Sequence, residues 1–356
     1  MVSLYDNNRI PLRMVAWEIT RRCNLSCIHC RAAARDEPYE GELSTEECFS
    51  VLDQIASFAR PIIILTGGEP LLRDDVFDIA AYGISKGLRM VMAPNGTLLD
   101  VPTAKTLKKA GVMRISLSLD GATVATHDAF RQVDGAFDAV IEAARAARET
   151  GLEYQINTTV TSKNLHEIAA IMDLAVEMGA AAFHTFMLVP TGRAQGFEDG
   201  MIKPEESEQF LKWLHGEMAR QRIAIKATCS PHFYRIAKQA QRGGRGHEQR
   251  VQGSLDRTTR GCLAGIAFCF VSHVGEVYPC GYLELSCGNV RDRGLEDIWV
   301  TAAPFVALRD FKNYRGKCGR CRFVDVCGGC RARAFAVTGD YLHDEPLCLY
   351  DGAREQ

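Results

Sequence analysis

Three cysteines near the start of the sequence, Cys23, Cys27 and Cys30, have the type and spacing needed to hold an iron-sulfur cluster. The CxxxCxxC spacing places three thiolates on one short loop. Three thiolates bind three irons of a 4Fe-4S cluster, whereas a closed site needs four protein ligands. The fourth iron would stay open to a substrate or cofactor. A zinc site normally recruits a fourth Cys or His, and His29, inside the loop, is poorly placed to supply it.

A second block of cysteines lies near the other end of the 356-residue chain. Cys318, Cys321, Cys327 and Cys330 form two CxxC pairs. Such pairs suit either 4Fe-4S clusters or structural zinc sites. The other cysteines of this block are Cys262, Cys269, Cys280, Cys287 and Cys348.

Composition and charge exclude several other classes of protein. The chain is 47% hydrophobic and 24% charged, which is typical of a globular protein with a sizeable core. A net charge of -2 offers no broad basic surface for nucleic acid or membranes. No apolar run reaches the roughly eighteen residues that span a bilayer, and the first residues do not resemble a signal peptide. These features predict a cytoplasmic protein, where cysteines bind metals more often than they form disulfides.

Short apolar runs alternate with helical patterns along the first half of the chain. This alternation predicts an α/β fold with a parallel sheet, either doubly wound or curled into a barrel. The predicted strands are residues 14–20, 61–66, 88–93, 113–119, 152–160 and 182–189. The predicted helices are residues 45–58, 75–86, 102–110, 136–150, 165–178, 204–221 and 295–308.

The cysteine loop after the first strand resembles that of the radical S-adenosylmethionine (SAM) superfamily. The segment TGGEP, residues 66–70, follows the second strand and resembles the GGEP motif of that family. The resemblance implies a partial (β/α)6 barrel, with SAM bound to the open iron at the carboxyl ends of the strands. The SAM-binding residues that it implies are Gly67, Gly68, Glu69, Asn95, Ser118 and Asp120.

The second cysteine block resembles the SPASM type of C-terminal extension, which binds two auxiliary 4Fe-4S clusters. The last gap of the motif is two residues here instead of the usual three. Seven cysteines match, and two closed clusters need eight. Cys269 is predicted as the eighth ligand, with Cys287 in reserve. By analogy, the inner cluster would bind Cys262, Cys269, Cys280 and Cys330, and the outer cluster Cys318, Cys321, Cys327 and Cys348.

These resemblances divide the chain into three predicted parts. Residues 1–200 form the radical SAM partial barrel, residues 201–260 a connecting helix and basic segment, and residues 261–356 the SPASM domain with the auxiliary clusters.

Nearly the whole chain resembles the radical SAM heme synthases of the siroheme-dependent pathway. The segments VAWEITRRCNLSCIHCRAAA, CSPHFYR, GCLAGIAFCFVSHVGEVYPCGYLE and CGGCRARAFAVTGD show the likeness. It implies oxidative decarboxylation of two propionates of iron-coproporphyrin III to vinyl groups, giving heme b. The related didecarboxysiroheme deacetylase and heme d1 maturase usually have tyrosine where this chain has Arg31.

Two other functions remain open at this stage. A peptide or sulfatase maturase would use the same core, but it normally carries a peptide-docking domain before the barrel, and thirteen residues precede the first strand here. An iron-sulfur carrier or zinc-bound interaction protein would leave the order of the barrel motifs unexplained.

Residues 220–260 are the one strongly basic stretch, with ten Lys or Arg against two acidic residues. We expect Arg222 and Arg235 to pair with propionates of an iron-porphyrin substrate; a solvated helix face is the alternative. Cys229 and His232 are interpreted as packing or hydrogen-bonding residues. The resemblance also implies a reduced electron donor such as ferredoxin or flavodoxin.

Overall fold

The computed structural model describes residues 11–242 and 260–352, in which nine strands form one sheet. The strands are β1 (Met14–Thr20), β2 (Ile62–Gly67), β3 (Arg89–Met92), β4 (Arg114–Ser118), β5 (Glu153–Val160), β6 (Ala182–Met187), β7 (Ala224–Thr228), β8 (Phe268–Val271) and β9 (Val277–Tyr278).

Helices follow most strands of this sheet. They are α1 (Thr45–Phe58), α2 (Val76–Ser85), α3 (Val101–Lys109), α4 (Val124–Arg131), α5 (Ala136–Thr150), α6 (Ile168–Met178), α7 (Pro204–Arg220), α8 (His232–Arg242), α9 (Leu295–Thr301), α10 (Ala303–Arg309), α11 (Gly316–Arg320) and α12 (Arg331–Thr338).

The sheet is open and almost entirely parallel, in the order β7-β6-β5-β4-β3-β2-β1-β8-β9. Only β8 and β9 pair antiparallel. This arrangement confirms the predicted α/β fold and partial barrel. The predicted domain limits remain predictions. Two features of the sheet cross them: β7 extends the sheet past residue 200, and β8 pairs with β1.

Two local differences from the sequence-based elements have physical causes. The helix predicted over 295–308 is divided into α9 and α10, because the backbone at Ala302 is extended (φ -64°, ψ 131°) ahead of Pro304. Helix α4, which begins after the Thr123 cap, was not predicted from the sequence. No helix in the described ranges has the length and apolar character needed to cross a membrane.

Glu18 joins the barrel to the C-terminal segment. It lies fully buried on β1, and its carboxylate oxygens are 2.9 Å from Arg21 Nε, 2.6 Å from Arg31 Nη2 and 2.7 Å from His273 Nδ1. Arg31 also donates to the carbonyl of Gly281 at 3.4 Å. Burial alone would raise the pKa of Glu18, but Arg31, the hydrogen bond with His273 and Arg21 outweigh it and hold the pKa far below its usual range. The ion network therefore links the first strand to the segment around Cys280.

We expect Glu18→Ala to lower the free energy of unfolding by about 3–5 kcal/mol, because it leaves the buried Arg31 charge without its carboxylate. Urea unfolding of the purified protein at pH 7 measures this loss. Asp53→Ala is the matched control, because its pair with Lys86 is exposed and should contribute little. The Glu18 contribution should be full above the ordinary pKa of 4.5 and decline as pH falls below it. Equal stability of the two variants would contradict the prediction.

Candidate active site

A cavity of about 470 Å³ lies inside the open barrel. It is bounded by both cysteine-bearing parts of the chain. The cysteines on its wall are Cys23, Cys27, Cys30, Cys229, Cys262, Cys280 and Cys330. The predicted SAM-binding residues on its wall are Gly67, Gly68, Asn95, Ser118 and Asp120.

The cysteine loop after β1 presents its three thiols to this cavity. Cys23 Sγ accepts a hydrogen bond from the backbone N–H of Leu25 at 3.4 Å, and Cys27 Sγ accepts one from Arg131 Nη1 at 3.5 Å. Burial and then the neighbouring Cys27 raise the pKa of Cys23 to about 12. All three cysteines of the loop line one cavity, and three thiols so placed fit a 4Fe-4S cluster with one open iron.

The glycines of the GGEP turn allow β2 to end directly against the cysteine loop. Gly68 N–H donates to the carbonyl of Thr20 at 2.9 Å. A Cβ on Gly67 would lie 2.2 Å from the Thr20 carbonyl oxygen, and one on Gly68 2.2 Å from that of Arg22. Any side chain at either position would therefore displace the loop that carries Cys23.

Glu69 lies behind the cavity wall and is fully buried. Its carboxylate accepts hydrogen bonds from the backbone N–H of Asn95 at 2.6 Å and of Leu71 at 3.0 Å. Burial raises the pKa of Glu69 to about 7, although both bonds favour the charged form. The structure thus shows Glu69 positioning Asn95. Its contact with the SAM amine stays a prediction.

Asp120 supports the cysteine loop through Arg131. Arg131 Nη2 donates to Asp120 Oδ2 at 2.5 Å, and the backbone N–H of Thr159 donates to Asp120 Oδ1 at 2.7 Å. Burial alone would raise the pKa of Asp120, but Arg131 outweighs it and keeps the pKa low. Ser118, at the end of β4, faces the cavity beside this pair. Direct contact of Ser118 and Asp120 with SAM remains a prediction.

Four further cysteines, from different parts of the chain, also lie on the wall of this cavity. We call Cys229, Cys262, Cys280 and Cys330 the inner group. The Cys229 thiol donates to Cys330, which raises the pKa of Cys229 and lowers that of Cys330. Cys262 and Cys280 interact electrostatically with Cys330 as well.

Cys229 was interpreted from the sequence as a packing or hydrogen-bonding residue; it does pack against the core and bond to Cys330, and the structure adds that it lies with three other cysteines on the cavity wall. It follows β7 directly and has a left-handed backbone, φ +56°, which is uncommon for a residue other than glycine. Strained backbone of this kind clusters at functional sites. The signal available in the sequence was a cysteine placed just after a strand, like Cys23, but β7 was not recognised.

Cys269, the predicted eighth ligand, lies elsewhere. Side chains alternate across a strand, and Phe268 and Phe270 of β8 face the cavity. Cys269 therefore points to the other face, where it is fully buried in the core beside Cys287. Neither Cys269 nor Cys287 lines the main cavity with the inner group.

The four cysteines assigned to the outer cluster do come together. Cys318, Cys321, Cys327 and Cys348 line a second, smaller cavity, and we call them the outer group. The Cys318 thiol accepts hydrogen bonds from the backbone N–H of Glu345 at 3.3 Å and from Arg331 Nη2 at 3.5 Å. Hydrogen bonds to sulfur are typical of iron-sulfur sites.

In a 4Fe-4S cluster each thiolate binds its own iron. Among the residues that the structure describes, no three Cys, His, Asp or Glu side chains lie close enough together to hold one metal ion.

The two arginines predicted to bind propionates do not line the main cavity. Arg222 is on the surface and pairs with Asp173. Arg235 is buried, donates two hydrogen bonds to the carboxylate of Glu208, and lies beside the outer group. Both guanidinium groups therefore already have carboxylate partners away from the barrel interior. Much of the basic segment, residues 243–259, lies outside the described residues.

The cavity has two chemically different walls. One wall, from β1, β2, β3 and β8, is mainly apolar and consists of Met14, Ala16, Ile62, Ile64, Val91, Phe268 and Phe270. The other, from β4 to β7, is polar and includes Arg114, Ser116, Gln155, Asn157, His184 and Lys226. A ligand with both a large apolar surface and anionic groups fits such a space.

Comparisons with known proteins agree with this geometry. The family model of the radical SAM superfamily matches residues 17–175, and that of the SPASM iron-sulfur cluster-binding domain matches residues 262–322. The solved structure of Streptococcus suis SuiB bound to S-adenosylmethionine is similar in fold, with a TM-score of 0.74 at 16% identity, covering 96% of this chain and 78% of that one. The chain is thus a radical SAM enzyme with a SPASM domain, and its cofactors are 4Fe-4S clusters and SAM.

Its curated relatives identify the family more closely. The AdoMet-dependent heme synthase of Nitratidesulfovibrio vulgaris is 48% identical over 347 residues, which cover 96% of this chain and 93% of that protein. The Fe-coproporphyrin III synthase of Methanosarcina barkeri is 34% identical over 94% of this chain and 87% of that protein. The chain belongs to the family of the AdoMet-dependent heme synthases, in which AdoMet denotes SAM.

Proposed function

We propose that this enzyme decarboxylates two propionates of iron-coproporphyrin III to vinyl groups and so produces heme b. The observation that carries the proposal is the single cavity that the cysteine loop and the inner group share. A substrate bound there would lie in the same cavity as the site of SAM cleavage and a second iron-sulfur site. The higher identity to a heme synthase, 48% against 34% for an Fe-coproporphyrin III synthase, supports this reaction over that of the relative.

The reaction needs both of these sites. When bound, the first cluster and SAM supply a 5′-deoxyadenosyl radical that removes one hydrogen atom from the propionate. The propionate also loses one electron and carbon dioxide, and a vinyl group remains. A cluster held by the inner group would supply an electron-accepting site beside the substrate. One SAM is consumed for each propionate, and a donor such as ferredoxin or flavodoxin supplies the reducing electron.

The inner group, Cys229, Cys262, Cys280 and Cys330, supplies four ligands for one auxiliary cluster in this proposal. The outer group supplies four for the other. Together they give the eight thiolates that two closed clusters need, and Cys229 takes the place assigned from the sequence to Cys269. Cys23, Cys27 and Cys30 hold the SAM-binding cluster.

The charged groups of the cavity suit a carboxylate-bearing porphyrin. Arg31, Arg114, Arg131 and Lys226 line it, while Asp120 is the one carboxylate among its described lining residues. The Arg31 guanidinium also lies 4.4 Å from the centre of the Phe270 ring. Because Arg31 is paired with Glu18, it contributes a guanidinium stacked on an aromatic ring to the cavity wall, and not an unpaired charge.

Product analysis tests the proposed reaction. We expect the reduced enzyme, incubated anaerobically with SAM and iron-coproporphyrin III, to form heme b with about two molecules of 5′-deoxyadenosine per heme. Mass spectrometry of the porphyrin and the nucleoside measures both. A parallel incubation uses 12,18-didecarboxysiroheme. Turnover of that compound alone would replace the proposal with the deacetylase reaction.

A further inference from the structure

A buried ion pair contacts both the inner group and the outer group of cysteines. Arg333 and Glu345 are fully buried, and Arg333 Nη1 donates to Glu345 Oε1 at 3.0 Å. Arg333 belongs to α12, which begins directly after Cys330, and Glu345 lies three residues before Cys348. The attraction within a buried pair seldom does more than offset the cost of removing both charges from water. Its place among the cysteines therefore indicates a role toward them.

Glu345 makes a hydrogen bond with one cysteine of each group. Its Oε2 accepts from the backbone N–H of Cys330, in the inner group, at 2.6 Å. Its own backbone N–H donates to Cys318 Sγ, in the outer group, at 3.3 Å. This one residue thus fixes a cysteine of the inner group relative to a cysteine of the outer group.

Arg333 holds the segment that carries Cys229. Its Nη2 donates to the carbonyl oxygens of Cys229 at 2.9 Å and of Met187 at 3.1 Å, and its Nε donates to that of Leu188 at 3.1 Å. These carbonyl groups lie where β6 and β7 end. The guanidinium therefore joins the ends of two barrel strands to α12, and it supports Cys229 in its left-handed backbone.

The charges of this pair affect the electrostatics of the cysteine groups. The reduction potential of a 4Fe-4S cluster depends on net charge and on hydrogen bonds to its sulfurs. Reduction adds a negative charge to the cluster, and a nearby carboxylate opposes it, most strongly in a buried site of low dielectric constant. Arg333 acts electrostatically on Cys229 and Cys330. Removal of the Glu345 charge alone would leave that positive charge unbalanced and would favour the reduced cluster.

We propose that Glu345 and Arg333 are positioning residues shared by the two auxiliary clusters. They hold cysteines of both groups in place, and the charge of Glu345 lowers the reduction potentials of the clusters. This inference rests on the proposed function, since it takes one cluster at each cysteine group. In that reaction the substrate radical is oxidised by one electron, and the cluster at the inner group is reduced by it. The pair would therefore set how readily the cluster accepts the electron.

A redox titration of the cluster-loaded enzyme, followed by electron paramagnetic resonance, tests this role. In Glu345→Gln we expect the ratio of reduced to oxidised auxiliary clusters at a fixed solution potential to rise about tenfold, which is about 59 mV for one electron. The iron content should remain that of wild type. Glu345→Asp keeps the charge and should stay close to wild type. Asp75→Asn is the matched control, because it removes a carboxylate from an arginine pair, 2.6 Å from Arg73, that lines neither cavity.

Each result decides the question. Unchanged potentials in Glu345→Gln, or an equal shift in Glu345→Asp, overturn the role of the pair while leaving the proposed function in place. A wild-type enzyme with only about four irons, enough for the SAM-binding cluster alone, overturns both. Should Glu345→Gln fail to retain auxiliary iron, Arg333→Lys decides instead. It keeps the positive charge but lacks the planar fork that binds the carbonyl oxygens, so we expect a loss of about four irons with SAM cleavage retained. Full iron in Arg333→Lys would refute the proposal.

Discussion

A Cys27→Ala variant should lose SAM cleavage completely, whereas Cys321→Ala should still form 5′-deoxyadenosine but no heme. Cys27 lies in the loop that leaves one iron open for SAM. Cys321 belongs to the outer group and does not line the main cavity. Cleavage is measured as 5′-deoxyadenosine, and heme formation as porphyrin mass, in the same anaerobic reaction.

The comparison separates the roles of the two sites because both variants remove one buried or half-buried thiol. Circular dichroism establishes that each variant is folded. Wild-type cleavage of SAM by folded Cys27→Ala would refute the assignment of the loop. Loss of cleavage in both variants would mean that the outer group is needed for the first step as well.

The second large effect concerns iron content. Wild type should bind about twelve irons per chain after anaerobic reconstitution, as three 4Fe-4S clusters, and Cys229→Ala only about eight. Cys229 belongs to the inner group by position, through its contact with Cys330. Alanine shares the backbone cost of cysteine at the left-handed φ of +56°, so the substitution removes the thiol without adding strain.

Cys269→Ala is the control for this experiment. Cys269 is fully buried, whereas Cys229 is half-buried. It packs in the core on the other face of β8, and its loss should leave the iron content unchanged. Iron analysis and Mössbauer spectroscopy count the clusters directly. Full iron in Cys229→Ala with a loss in Cys269→Ala would restore the ligand set inferred from the sequence. Stoichiometric zinc in wild type would contradict clusters altogether.

Much of the fold could be predicted because its signals are local. Helix α1 lies where it was predicted, because its local sequence carries a capping box, Ser44 to Glu47, and an apolar stripe that includes Cys48. Strand β7, AIKAT, was missed because Lys226 interrupts its apolar pattern. The lysine is tolerated because it faces the cavity rather than the core. This position depends on the tertiary structure, so the local sequence pattern could not predict it.

The candidate site, too, could be predicted where its residues are close in sequence, but not where they come from distant segments. The spacing of Cys23, Cys27 and Cys30 lies within one loop and could be interpreted from the sequence alone. The inner group joins Cys229 to three distant cysteines, and its membership depends on where β7 ends. Charge counting favoured Arg222 because it ignores partners, and Asp173 already neutralises it.

The pairing of β8 with β1 makes the order of synthesis important. β1 is synthesised long before β8, so one of its two edges stays unpaired until Phe268–Val271 has been made. Contacts between residues so far apart in sequence form slowly, and an open strand edge invites association with other chains. The C-terminal part of the chain therefore protects the barrel by pairing with this exposed edge of β1. The segment that carries the last cysteines thus also completes the sheet on which the first three are mounted.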